Sequence, residues 1–222
     1  MHIEPGIVTG AKIALSHATA AAAAGYTLKL AWEALRERGL ASLAGRAVLT
    51  TAAVFTFFEI MPHFPVGVSE VHFILGSTLF LLFGAAPAAI GLALGLLLQG
   101  MLFAPFDLPQ YGMNITTLLV PLFALQALAA RIIAPGTAYV DLRYGQALAL
   151  STAYQGGIVA WVAFWAIYGQ GFAGGIHGIA TFGAAYMLVV LIEPLVDLAV
   201  LAGAKSLRGL RGSSLVTPRL FA

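Results

Sequence analysis

Long apolar segments recur from one end of the chain to the other, and they restrict the fold more than any motif does. Hydrophobic residues make up 60% of the 222 residues and charged residues only 9%, whereas soluble domains carry about 25% charged residues. An apolar run of roughly 20 residues can cross the hydrocarbon layer as a helix. We therefore predict an all-α polytopic membrane bundle that forms a single domain over residues 1–222.

Hydropathy divides the chain into seven candidate transmembrane helices. Their predicted ranges are 9–35, 45–61, 69–84, 87–103, 114–134, 146–169 and 177–203. The first range is the least apolar, because it contains Lys12, His17 and Lys29. A turn at 84–87 separates the third and fourth ranges, which we therefore expect to form a tight helical hairpin.

Basic residues in the connecting segments lie at one side of this predicted arrangement. They lie around the junction of the first and second ranges, around that of the fifth and sixth, and after the seventh: Arg36, Arg38, Arg46, Arg131, Arg143, Lys205, Arg208, Arg211 and Arg219. The loops of the other side, at 62–68, 104–113 and 170–176, contain neither Lys nor Arg. Because positively charged loops stay in the cytoplasm, we predict an external N-terminus and a cytoplasmic C-terminus, with 204–222 as a basic tail.

Several classes of function are excluded by motifs that the sequence lacks. There is no Cys, so thiolate metal sites and disulfides are not available. No GxxxxGK[ST], HExxH or GxSxG pattern occurs, and these patterns mark ATPases, zinc proteases and serine hydrolases. We predict that the chain has no ATPase site of its own and is not an enzyme.

The first residues can form a metal chelate. The amine of Met1, the amide nitrogen of His2 and the His2 ring would close two fused rings around one ion, and planar nitrogen sites suit Ni(II), Cu(II) and Co(II). We expect no cleaved signal peptide, and we expect Met1 to be retained because His2 is a large second residue. Pro5 and Gly6 predict a turn, so the tail, residues 1–8, could fold back into the protein.

Four of the five histidines fall at the predicted outer side: His2, His63, His72 and His177. His72 is the predicted partner of the tail. We expect Ser69 to cap the third helix, which places His72 in the first turn, where the helix dipole favours a neutral ring. His63 is a further candidate ligand or an outer capture group, and the favoured interpretation of His177 is structural.

Other polar residues have more than one interpretation. Asn114, at the start of the fifth range, can serve as a helix N-cap, hold the loop that covers the metal, or do both. Lys29, Glu193 and Asp197 are ionisable groups within predicted helices, where such groups often mark function. Their similar predicted depth favours a structural ion pair that closes the bundle, although Asp197 could instead contact the basic tail.

Three motifs resemble those of one known family. Met1-His2-Ile3 followed by Gly6 is similar to the opening of the CbiM/NikM family, the substrate-capture subunits of cobalt and nickel energy-coupling-factor transporters. Gly67-Val68-Ser69-Glu70-Val71-His72 resembles the family's second-histidine loop, and Gly112-Met113-Asn114 resembles its Gly-x-Asn element. The similarity covers most of the first 135 residues, and the hydropathy extends it to the rest.

The resemblance implies a transporter subunit that binds its substrate and catalyses nothing. Co2+ or Ni2+ would be the transported substrate, and the import would supply cobalamin biosynthesis. The implied partners are a transmembrane coupling subunit, two cytoplasmic ATPase subunits and a small accessory membrane subunit, in a bacterial inner membrane. Met1, His2 and His72 would be ligands, with Ser69 and Asn114 supporting them. One departure is that the family typically has Ser directly before its second histidine.

Two other classes of protein fit the same residues. A membrane-embedded metalloenzyme could use these histidines with Glu70 as acid or base, although no nucleophile accompanies Glu70. A structural subunit of a membrane complex would bind no metal. The metal stoichiometry of the protein with a free and with a blocked N-terminus separates the three classes.

Overall fold

The computed structural model describes residues 2–206, which form five α-helices and one two-stranded hairpin. In chain order they are α1 (Ile13–Phe55), β1 (Phe64–Val66), β2 (Ser69–Val71), α2 (Gly76–Phe83), α3 (Ala85–Leu102), α4 (Tyr111–Ile132) and α5 (Tyr144–Ser206). Short 3-10 turns precede α1, α4 and α5, and a π-helical turn, Thr56–Ile60, continues α1.

Four helical stretches among the described residues are long and apolar enough to cross a membrane. They are Gly10–Ile60, Ala85–Leu102, Pro105–Ile132 and Tyr144–Ser206. The chain is therefore a helical integral membrane protein, and the class predicted from its composition is confirmed.

Two of these stretches double back at a glycine. Gly39 in α1 has φ 78° and ψ 167°, and Gly171 in α5 has φ 75° and ψ 168°, a conformation that other residues avoid. The 63 residues of α5 would form a straight helix of about 95 Å, about three times the hydrocarbon thickness. Instead its ends meet, since Lys205 Nζ donates to the carbonyl of Val140, just before α5, at 3.0 Å.

The two halves of α1 pack on different helices. The first half lies against α4, where the rings of Tyr26 and Phe123 are 4.6 Å apart. The second half lies against α3, where Gly91 packs directly on Thr50. Any side chain at position 91 would clash, because its Cβ would lie 2.3 Å from Thr50 Oγ1. Small residues allow such close helix contacts in membranes, so Gly91 decides how near α1 and α3 approach.

The segment predicted as the third helix, 69–84, is helical only in its second half. Gly67, with φ 66°, forms the two-residue turn between β1 and β2, and the non-helical residues 72–75 follow β2. Leu75 has a left-handed backbone, φ 53°, so α2 does not extend back past it. With 8 residues, α2 is about 12 Å long, well short of the hydrocarbon thickness.

This local structure corrects two predictions. Ser69 is a residue of β2 and caps no helix, and His72 lies in the non-helical segment 72–75, not in a first helical turn. The physical reason is that Ser69 pairs with β1 on one edge of β2 and with the N-terminal tail on the other, which holds the chain extended.

The buried carboxyl groups of α5, Glu193 and Asp197, contact the segment 72–78 and form no ion pair with a lysine among residues 2–206. Lys29 pairs with Glu33, one turn along the exposed face of α1, at 3.8 Å. The predicted ion pair between Lys29 and Glu193 or Asp197 is therefore wrong. Glu193 accepts the backbone N–H groups of Ile74 and Leu75, because backbone that leaves the helix inside a membrane needs other partners. Asp197 accepts the hydroxyl groups of Ser77 and Thr78.

Candidate metal site

The N-terminal tail pairs with β2 as a short third strand. The amide of Glu70 donates to the His2 carbonyl at 3.0 Å, and the amide of Glu4 donates to the Val68 carbonyl at 3.1 Å. The buried hydroxyl of Ser69 also donates to the His2 carbonyl, at 2.8 Å. Backbone hydrogen bonds of this kind fix the register of an added strand, so His2 has a defined position along β2.

Asn114 fastens the tail from the opposite side. Its Oδ1 accepts the amide N–H of Ile3 at 2.7 Å, and both residues are buried. The N-cap interpretation of Asn114 is wrong, because α4 begins earlier, at Tyr111. From inside the first turn of α4, the Asn114 side chain faces the tail, which is therefore clamped between α4 and β2.

The docked tail brings His2, Glu70 and His72 together. One ligand atom from each of these side chains lies within 4.8 Å of the other two, and His2 and His72 are only 3% and 2% exposed. The ring of Phe58 covers them, with its centroid 4.5 Å from that of His72 and 6.2 Å from that of His2. Two imidazoles and one carboxylate at this spacing suit a divalent transition metal.

Glu70 is the member of this cluster that the sequence interpretation misses as a candidate ligand. In a helix, residues two apart do not face each other, so the helical prediction separates Glu70 from His72. In an extended chain, residues two apart share a face. The one hint in the sequence was Gly67, which is compatible with a turn between two strands but does not specify one.

Hydrogen bonds define the tautomers of both rings. His72 Nδ1 lies 3.0 Å from the Phe73 carbonyl oxygen, which can only accept, so Nδ1 carries the proton and Nε2 carries the lone pair that a metal needs. His2 Nδ1 is hydrogen-bonded to the Glu70 carboxylate. His2 Nε2 is buried without a hydrogen-bond partner among the described residues.

Burial and pairing set the charges of His2 and Glu70. Burial lowers the pKa of His2, and its hydrogen bond to Glu70 only partly opposes this effect. Burial also acts to raise the pKa of Glu70, but the hydrogen bond and the charge interaction with His2 outweigh it, so this pKa lies below its ordinary value. A neutral imidazole beside an ionised carboxylate is the combination that metal binding requires.

The other predicted residues lie outside this cluster or outside the described chain. His63 is half-buried, and its Nδ1 donates to the Met61 carbonyl at 3.2 Å. His17 and His177 are exposed on α1 and α5. Met1 lies outside the described residues.

A cavity of about 10 Å³ adjoins His2. Its other lining residues are Leu96, Gln99, Gly100, Asp107, Leu108, Tyr111 and Asn114. A volume of this size admits about one water molecule.

The fold and this cluster define a helical membrane protein with a group of side chains that could hold a metal ion at one end of the bundle. Two solved crystal structures share the fold. That of a truncated transition metal transporter is 19% identical, with a TM-score of 0.68, over 91% of this chain and 97% of that chain. That of a transition metal transporter is 18% identical, with a TM-score of 0.70, over 100% of this chain and 97% of that chain. No curated protein matches the sequence.

The model of the CbiM family, the cobalt uptake substrate-specific transmembrane region, matches residues 2–209, and the chain belongs to this family. The resemblance found in the N-terminal motifs is thereby confirmed. The protein is the substrate-binding membrane component for cobalt or nickel uptake, and it forms part of a multi-subunit transport system. It is a transporter component and not an enzyme, and its metal is the transported substrate.

Proposed function

We propose that the transported ion binds to Met1, His2 and His72, while Ser69 and Asn114 hold the tail in place. The observation that supports this most is the convergence of two buried histidines, His2 from the tail and His72 from the segment after β2. The amine of Met1, the amide nitrogen and the ring of His2, and the ring of His72 together supply four nitrogens. A planar nitrogen site of this kind suits Co(II) and Ni(II).

Glu70 acts in this proposal as a neighbouring counter-charge. Chelation through the amide nitrogen of His2 requires ring atom Nδ1, which is hydrogen-bonded to Glu70. The ion takes the place of the proton between them, and binding therefore releases protons. His63, in the adjoining loop, remains a further candidate ligand or a capture group for the arriving ion.

We favour cobalt over nickel as the substrate, because the family to which the chain belongs is described by cobalt uptake. Coordination by a deprotonated amide nitrogen favours nickel instead, since it stabilises Ni(II). The outer-shell residues around the site, Asn114 among them, tune this balance.

Purified protein in detergent is expected to retain one Co(II) or Ni(II) per chain after desalting. Mg(II) should not be retained, because it prefers octahedral oxygen ligands. Metal analysis of the desalted protein, together with its unfolding temperature, measures this. A folded protein that retains neither cobalt nor nickel would instead be a structural subunit.

We propose seven membrane crossings, as hydropathy predicts, with the third one discontinuous. The residues that cross would be 13–38, 40–60, 72–83, 85–102, 111–132, 144–170 and 172–206. The reversals at Gly39 and Gly171 support this count. At the site end the loops that connect crossings contain no Lys or Arg, and the one Lys or Arg there among residues 2–206 is Lys12, just before the first crossing. Arg36, Arg131 and Arg143 lie near the other end, so the site should face the outside.

A reporter fused after Ala222 is expected to be cytoplasmic. The expectation follows from the odd number of crossings and from the basic residues near the end opposite the site. Paired phosphatase and fluorescent-protein fusions measure it, with fusions in the loop at 104–110 as the internal control for the outer side. A periplasmic C-terminal reporter would contradict the proposed orientation.

The remaining proposals concern assembly and location. We propose that residues 1–222 form one domain with a metal-binding tail at 1–8 and a basic tail at 204–222, of which 207–222 lie outside the described residues. The sequence motifs of ATPases are absent, so we propose that energy comes from two cytoplasmic ATPase subunits through a transmembrane coupling subunit, with a small accessory membrane subunit, in a bacterial inner membrane. Supply of cobalamin biosynthesis is the proposed use of the ion.

A further inference from the structure

Glu193 of α5 holds the non-helical segment that carries His72. It is fully buried, and it accepts the amide N–H of Ile74 through Oε1 and that of Leu75 through Oε2, the latter at 3.0 Å. The side-chain amide of Gln155 also donates to Oε2. Glu193 forms no salt bridge with any of residues 2–206, so hydrogen bonds alone compensate for burying this carboxyl group.

Asp197 lies one turn further along α5 and holds the start of α2. It accepts hydrogen bonds from the hydroxyl of Ser77, at 2.5 Å, and from that of Thr78. The first turn of a helix has unpaired amide groups and a positive dipole end, beside which a carboxyl group is favourable. The two acidic residues thus fix the chain on both sides of Leu75.

A single peptide group connects Glu193 to His72. The Phe73–Ile74 peptide carries the carbonyl that accepts the Nδ1 proton of His72 at 3.0 Å, and it carries the N–H that donates to Glu193. The carboxyl group therefore orients the peptide plane, and the peptide plane orients the His72 ring. Hydrogen bonds in series also polarise one another, which makes Nε2 of His72 a better donor to a metal.

The local chain does not hold this arrangement by itself. Leu75 has φ 53°, which is unfavourable for a residue with a branched apolar side chain. Such a conformation persists where surrounding contacts enforce it, and the contacts here are those of Glu193 and Asp197 with residues 74–78.

We propose that Glu193 is a positioning residue of the metal site, which sets the orientation and the affinity of His72 through the Phe73–Ile74 peptide. Asp197 holds the start of α2, which directly follows the segment that contains His72. The inference rests on the proposed role of His72 as a ligand. Because Glu193 belongs to α5 and His72 to the third segment, a displacement of α5 relative to that segment weakens the hold on the ion.

The test compares Glu193→Gln with the wild-type protein. The substituted amide keeps one acceptor oxygen but turns an NH2 group toward donors that need an acceptor. We expect Co(II) to bind about 10- to 100-fold more weakly, the range for lost outer-shell contacts, and the visible absorption bands of bound Co(II) to shift. Leu125→Ala, which removes a buried apolar side chain of α4, is the matched control and should change unfolding temperature but neither affinity nor spectrum.

Each outcome has a defined meaning. Unchanged affinity and spectrum in Glu193→Gln, together with wild-type binding that requires His72, would overturn this inference alone. An equal loss of affinity in Leu125→Ala would also overturn it, since the effect would then be general destabilisation. If the His72→Ala protein still binds Co(II) normally, His72 is not a ligand, and the proposed metal site itself is contradicted. If Glu193→Gln does not fold, Glu193→Asp, which withdraws the carboxyl group by one methylene, should show a smaller loss with a shifted spectrum, and no change there overturns the inference.

Discussion

A Gly-Ser dipeptide added ahead of Met1 is expected to abolish binding of Co(II) and Ni(II), although it leaves every side chain intact. The two fused chelate rings exist only while the amine is the first atom of the chain. An added residue turns that amine into an amide, which binds metal far less readily. The tail also cannot shift to compensate, because Glu70 and Asn114 hold the backbone of His2 and Ile3 in one register.

Calorimetry with both metals on the wild-type and extended proteins measures this effect. We expect a loss of more than about 100-fold, beyond the cost of a lost outer-shell contact. His2→Ala should be equally damaging, because it removes the ring nitrogen that anchors the chelate. The same dipeptide added after Ala222 is the control and should bind normally. If the two extended proteins bind metal with equal affinity, the N-terminal amine is not a ligand, and the site is a cluster of histidines.

His72→Ala is expected to abolish metal uptake, whereas His177→Ala retains most of it. His72 is 2% exposed, and its Nδ1 donates to the Phe73 carbonyl, so Nε2 is the ring atom that would bind the ion. His177 is exposed on α5 and outside the cluster with His2 and Glu70. Removing a ligand from a site with few ligands leaves a coordination position that water fills only weakly inside an enclosed cluster.

Uptake of labelled cobalt by cells that express each variant at equal levels measures the difference. His63→Ala belongs in the same series, because a capture group would slow uptake at low metal concentration without abolishing binding by the purified protein. If the His72 and His177 variants take up metal equally well, the assignment of His72 is wrong.

The participants in the site were predictable from the sequence where the chemistry is local. The approach of His2 to His72 follows from residue types and from the outer position of the histidines, and the chelate of Met1 and His2 stays a prediction. Glu70 and the actual role of Asn114 were not predictable in this way. Both depend on which face the backbone presents, and the local sequence was compatible with a helix at 69–84 as well as with a hairpin.

The membrane class was determined by the sequence alone, because the free energy of moving a side chain into lipid depends mostly on that side chain. The gaps that hydropathy leaves at 36–44 and 170–176 contain the two reversal points, Gly39 and Gly171, whose backbone conformation was seen only in the structure. The extended third segment was decided only by the tertiary structure. Its backbone groups are satisfied by Glu193, 119 residues away from Ile74, and its strand is completed by the N-terminal tail. Contacts between segments this distant have no signature in a local window of sequence, and they determine whether the segment after Gly67 forms a helix or holds His72 beside His2.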